Sequence, residues 1–227
     1  TLFSLAMRDY DPDSGRILID GQDLRDLELE SYRNQTAIVL QDTFLFSATL
    51  RDNILFGNLW ATEEQLREAV RRAGVDLFLG DMADGLDTLL TAEGGNISGG
   101  QRQRVGMARA IIRQPRFLFL DEATSALDPL TEREVLTHLH EMQKGLTTIV
   151  AAHDLRTLCD ADEILVLEAG RIIQRGTHES LLREKSGLYG RMWQKGAEYD
   201  RHPTQPPIRR DDVAIVRQAA GPPAPPG

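Results

Sequence analysis

Phe117-Leu118-Phe119-Leu120-Asp121-Glu122 is apolar at four successive positions and then presents two acids in succession. A strand with one solvated face alternates apolar and polar residues. An unbroken apolar run therefore predicts a strand covered on both faces, as in a parallel sheet with helices above and below it. Such a strand is expected to lie centrally, with Asp121 and Glu122 at its carboxyl end, where open α/β sheets bind their ligands. Successive strand side chains point in opposite directions, yet where the chain turns both carboxylates can address one crevice. Asp121 suits magnesium, a hard ion that prefers oxygen ligands and keeps part of its water, and Glu122 suits a general base that polarises an attacking water. Two acids that cap a following helix are the plain alternative.

Outward from this hexapeptide, Thr36 to Leu40 and Thr147 to Ala152 read as further strands. Short apolar runs alternate with helical patterns over Glu63 to Ala73, Arg102 to Ile112 and Thr131 to Met142, which predicts an α/β fold with a central, mainly parallel sheet. Arg16 to Asp20 and Arg171 to Gln174 alternate apolar and polar residues beside glycines and are expected to form a smaller antiparallel sheet.

Gln41 ends the first of these strands and His153 follows the last, so each falls at the ligand edge of the sheet. Gln41 offers a neutral oxygen to an ion or water, and His153 can donate to a terminal phosphate, though either residue also fits the role of a loop anchor. Ser98-Gly99-Gly100-Gln101 opens the helix that runs on from Arg102. Ser98 and Gln101 have the spacing of a capping box, which needs no ligand. Two glycines, however, let backbone N–H groups approach a phosphate at the positive end of a helix, and the two readings stay open. Ser125-Ala126-Leu127-Asp128 precedes Pro129 and by itself is ordinary turn chemistry.

The chain has 227 residues, enough for one large or two small domains, with a formal net charge of -9. That charge argues against nucleic acid as a partner, since phosphate backbones favour basic surfaces, so an anionic ligand must be held by local geometry. Cys159 is the only cysteine, which excludes a disulfide framework and a clustered-thiolate zinc site and fits a reducing, cytosol-facing compartment. No apolar run approaches the roughly 18 residues that cross a bilayer, so this piece is expected to be soluble. It begins at Thr1 with no signal-peptide pattern and is expected to have been cut from something longer. From about residue 197 the character changes: 7 of the 10 prolines lie beyond it, and a disordered tail over 197–227 is expected, with the short apolar patch Val213 to Val216 given no role.

Taken in order, Gln41, Ser98 to Gln101, Phe117 to Glu122, Ser125 to Asp128 and His153 closely resemble the ATP-binding cassette family, the ATPase domain of ABC transporters. The resemblance runs from Thr1 to roughly Gln194. It implies an ABC ATPase fold of the P-loop NTPase kind over residues 1–196, with a small antiparallel β subdomain and a helical subdomain at about 62–114. It also implies roles: Gln41 as the Q-loop glutamine and Asp121 as the Walker B aspartate, both toward Mg2+, Glu122 as the catalytic glutamate, and His153 as the switch histidine. Ser98, Gly99, Gly100 and Gln101 would be the signature that contacts the γ-phosphate of ATP held by the opposite subunit, with Asp128 in the D-loop between sites. Catalysis would then need two domains head to tail, a homodimer being the simpler expectation.

Thr1-Leu2-Phe3-Ser4-Leu5 resembles the helix just after the Walker A lysine-serine, which makes Thr1 the threonine beside the α-phosphate. The rest of that loop and the adenine-stacking aromatic would lie upstream, so the piece alone is expected to bind ATP poorly and to hydrolyse it hardly at all. Leu45 to Ile54, Glu93, Gly170 to His178 and Leu188-Tyr189-Gly190 resemble exporter segments. They imply transmembrane domains as partners and a place on the cytoplasmic face of the plasma membrane. Asp154 and Ile97 depart from the usual exporter residues. A non-transport ABC ATPase in translation or DNA repair, or a non-catalytic regulatory domain, are the alternatives.

Overall fold

The structure is a computed structural model that describes residues 2–91, 94–123, 137–138, 145–152, 155–184, 186–201 and 213–218. The first five residues of the hexapeptide form strand β4 (Phe117–Asp121), flanked by β3 (Thr36–Val39) and β5 (Thr147–Ala152), and both pairings are parallel. Its unbroken apolarity has a direct cause. Leu118 and Leu120 face the main core, and Phe119 faces the other side, where it meets Phe3 of α1 (Leu2–Ala6) edge-on with ring centroids 5.5 Å apart. Helix α1 is held to α2 (Leu29–Asn34) by Tyr32, whose phenol donates to Ala6 O at 2.7 Å and is pushed up to about 12 by burial.

The main core is built on helices α3 (Leu50–Leu55), α4 (Glu63–Arg72), α5 (Asp76–Leu79) and α6 (Gly99–Ile111). Thr62 and Gln65 close a capping box on α4, as Ser98 and Gln101 do on α6, and each box satisfies N–H groups that the first turn leaves without helical partners. Helix α6 buries residues on most of its circumference, because it packs on β3 along one side and on α3 and α4 along the others. Gly57, just after α3, touches α6 directly: a Cβ there would lie 2.1 Å from Arg109 O and 2.7 Å from Ile112 Cγ2. Gly57→Ala is accordingly expected to destabilise the chain by about 1–3 kcal/mol, read as a lower urea midpoint, because neither the helix backbone nor a packed isoleucine yields cheaply.

The sheet order is β3-β4-β5-β8-β6-β7, with β6 (Glu163–Glu168), β7 (Arg171–Gly176) and β8 (Val213–Gln218) paired antiparallel. Two expectations are corrected here. The segments near Arg16 and Arg171 do not share a sheet: among the described residues β1 (Leu18–Ile19) pairs only with β2 (Gln22–Asp23), and β7 is the edge of the main sheet beside β6. Alternation predicts a solvated face and says nothing of which strand lies next door. The tail expectation also changes. Helix α8 (Leu188–Arg201), which follows α7 (His178–Arg183), runs past residue 197, and Val213–Gln218 is a strand between β5 and β6. Its run of β-branched residues suits a strand, and β5 and β6 each present it with a row of backbone groups to pair. The proline-rich residues 202–212 and 219–227 lie outside the described residues. So does Thr131 to Met142, apart from residues 137–138, which are helical.

Candidate functional site

Parallel registry assembles one edge. Val39 pairs with Leu120 and Asp121 with Ala151, so Gln41, just beyond β3, and Asp121, ending β4, stand at the same carboxyl edge on neighbouring strands. Neighbouring strands lie about 4.8 Å apart, a spacing that lets two side chains address one ligand. Gln41 is exposed and Asp121 and Glu122 are half-buried.

Glu122 has φ 47°, in the left-handed region that side-chain-bearing residues seldom adopt. Such a conformation costs about 1–3 kcal/mol and persists only where the surroundings impose it. Here the Glu122 N–H donates to Ala151 O at 2.9 Å, which ties the turn to β5. The left-handed residue follows Asp121 directly and marks where the extended run of β4 ends.

Ser98 to Gln101 begin α6 rather than standing on this edge. The capping box is present: Gln101 N–H donates to Ser98 Oγ at 3.2 Å, and Ser98 N–H donates to Gln101 Oε1 at 2.9 Å. The helix runs antiparallel to β3, since Gln103 Nε2 donates to Leu40 O at one end and Arg113 Nε to Thr36 O at the other. At 1.5 Å per residue, the five residues from Gln103 back to Ser98 carry the helix start roughly 7 Å beyond the sheet edge. Thr1, Asp128 and His153, together with Glu93 and Ser125 to Leu127, lie outside the described residues. Ala152, which precedes His153, ends β5 one strand across from Asp121.

Sequence reading missed a second feature beside Gln41. Phe44, Phe46 and Phe56 are 57%, 37% and 57% exposed, and their rings still contact one another, with centroids 5.3 Å apart for Phe44–Phe46 and 4.6 Å for Phe46–Phe56. Arg109 of α6 lies under them, its pKa drawn below the ordinary guanidinium value by burial. The only sequence signal was three aromatics within thirteen residues, in and beside the stretch Leu45 to Ile54 that was read only for its resemblance to an exporter segment. Their partner is more than fifty residues away in the chain.

Among the described residues, no group of three or more His, Cys, Asp or Glu could hold a metal, and no helix is long and apolar enough to cross a membrane. One carboxylate and one neutral amide oxygen still fit a hard ion that takes its remaining ligands from phosphates and water.

Residues 1–125 match the family described as ABC transporter, and the chain belongs to that family. It is 44% identical over 193 residues to the heterocyst differentiation ATP-binding protein HepA of Nostoc sp., covering 85% of this chain and 31% of that protein. It is 45% identical over 195 residues to the mitochondrial iron-sulfur clusters transporter ATM1 of Chaetomium globosum, covering 85% and 32%. A solved structure described as a bacterial Atm1-family ABC exporter with ATP bound superposes with a TM-score of 0.79 at 41% identity, over 86% of this chain and 34% of that one. The α/β architecture is thus the ABC ATPase fold, and the chain spans about a third of the length of these relatives.

Proposed function

We propose that this chain is the greater part of the ATP-hydrolysing domain of an ABC exporter, which powers movement of a substrate across a membrane. The observation that carries this is the shared carboxyl edge, where Gln41 follows β3, Asp121 ends its parallel neighbour β4 and a left-handed Glu122 comes next in the chain. In this reading Asp121 and Gln41 hold Mg2+, which supplies positive charge to the phosphates of ATP. Glu122 orients the attacking water and accepts its proton. Thr1, His153 and Asp128 keep the roles that the family resemblance implies: a contact to the α-phosphate, a hydrogen bond to the γ-phosphate, and a place between the two sites.

Ser98 to Gln101 start a helix that projects past the sheet edge, so the N-terminal end of α6 is offered outward to a phosphate on a second ATPase domain. Head-to-tail pairing of two such domains satisfies both halves of the site, and a homodimer requires no further protein. The exposed Phe44–Phe46–Phe56 patch adjoins Gln41 and is read as the seat of the membrane portion of the longer polypeptide. Relatives described as a transporter and an exporter are about three times the length of this chain, and an apolar patch beside the ATP edge is where such a portion would sense nucleotide. The site would face the cytoplasm at the plasma membrane, a reducing side that fits a chain with a single cysteine.

Phosphate release by the complete polypeptide, reconstituted in lipid, tests this reading. Release that stops with EDTA and returns with excess Mg2+ is expected. Release insensitive to EDTA would remove the metal role of Asp121 and Gln41, and no release at all would defeat the catalytic reading.

A further inference from the structure

We infer that Arg109 is a positioning residue that locks the exposed aromatic patch to the helix beginning at Ser98, so that patch and signature move as one body; the functional half of this inference rests on the reading above. Each of its three guanidinium nitrogens donates a hydrogen bond. Nε donates to Asn53 O at 2.9 Å, Nη1 to Phe44 O at 2.8 Å and Nη2 to Asn53 Oδ1 at 3.0 Å, while Cζ sits 5.6 Å from the Phe46 ring centroid and 5.8 Å from that of Phe56. Asn53 is fully buried and extends the clamp: its Oδ1 accepts the Phe46 N–H at 2.9 Å, and its Nδ2 donates to Phe46 O at 3.1 Å and Thr49 O at 3.0 Å.

The same helix grips the segment after Gln41 at two further levels. Gln103 bonds Leu40 O and the Thr43 hydroxyl, and a Cβ on Gly106 would lie 2.7 Å from Thr43 Oγ1. Residues 40–46 therefore lie along α6 at successive turns, through Gln103, Gly106 and Arg109. A helix moves as a rigid rod, and a push on the patch is delivered to the turn that holds Ser98 to Gln101. A lysine could not substitute, because one ammonium offers no planar fork to reach three acceptors while stacking between two rings.

The test uses the complete protein in lipid, with Arg109→Lys, Phe56→Ala and the double variant. Hydrogen exchange reads the clamp without needing turnover: amides of residues 44–49 in Arg109→Lys should exchange at least about tenfold faster, as the loss of charge-assisted hydrogen bonds implies, with those of β4 unchanged. Unchanged exchange at 44–49 overturns the inference. If Arg109→Lys also loosens β4, Phe46→Leu, which removes one stacked ring and leaves the guanidinium bonds, should loosen 44–49 alone, and its failure to do so overturns the inference.

Kinetics read the relay. Each single substitution should lower kcat for ATP by roughly 2- to 30-fold with KM for ATP within about twofold, and the double variant should be no worse than the weaker-performing single. Effects that multiply would show that Arg109 and the patch act separately, which defeats the relay. A wild-type protein that releases no phosphate defeats the catalytic reading, and the exchange result then decides the clamp by itself.

Discussion

Glu122→Gln in the complete polypeptide is expected to lower the ATP hydrolysis rate by about 10²- to 10⁴-fold while ATP binding is retained, the span that loss of a general base covers. Glutamine has nearly the shape of glutamate and can still accept a hydrogen bond from water, so the site keeps its form. Its amide oxygen cannot take up the proton that the attacking water must lose. The backbone should tolerate the change, because φ 47° is no worse for glutamine than for glutamate, and the N–H bond to Ala151 O involves only main chain. Phosphate release and equilibrium ATP binding measured on one preparation check the prediction. Turnover at the wild-type rate would remove Glu122 from its role, and loss of binding together with turnover would point to a contact with nucleotide instead.

Ser98→Asp separates the two readings of the glycine-rich start of α6. Aspartate is as good an N-cap as serine and adds a favourable charge at the positive end of the helix, so stability should hold to within about 0.5 kcal/mol. A carboxylate placed where a phosphate must approach repels it, and ATP hydrolysis should fall at least about 100-fold, since the electrostatic cost in a closed, water-poor site amounts to several kcal/mol. Ser98→Thr, which keeps both cap and neutrality, serves as the control. If Ser98→Asp is both stable and fully active, Ser98 is a helix cap and nothing more, and the outward-facing phosphate contact falls with it.

Several elements were legible because their cause is local. Phe117 to Leu120 could be read as a doubly covered strand because each residue records its own burial, and β4 does carry Leu118 and Leu120 on one face and Phe119 on the other. Ser98 with Gln101 marks a helix start because a capping box is closed within four residues, whereas the helix over Glu63 to Ala73 was legible from its spacing alone. The family was legible from the order of Gln41, Ser98 to Gln101, Phe117 to Glu122, Ser125 to Asp128 and His153 along the chain, since that order is a property of the sequence alone.

Tertiary structure alone decided the rest. Strand pairing is a long-range choice, so the alternating run at Arg171 could declare a solvated face and still be assigned the wrong neighbour, and Val213–Gln218 could be passed over in a proline-rich tail. The left-handed backbone at Glu122 is tied to Ala151 across the sheet, a partner the local sequence does not name. Arg109 reads in sequence as one more basic residue on a helix. Only the fold sets its guanidinium against Asn53 and Phe44, because the free energy of that clamp resides in contacts between segments that the chain holds more than fifty residues apart.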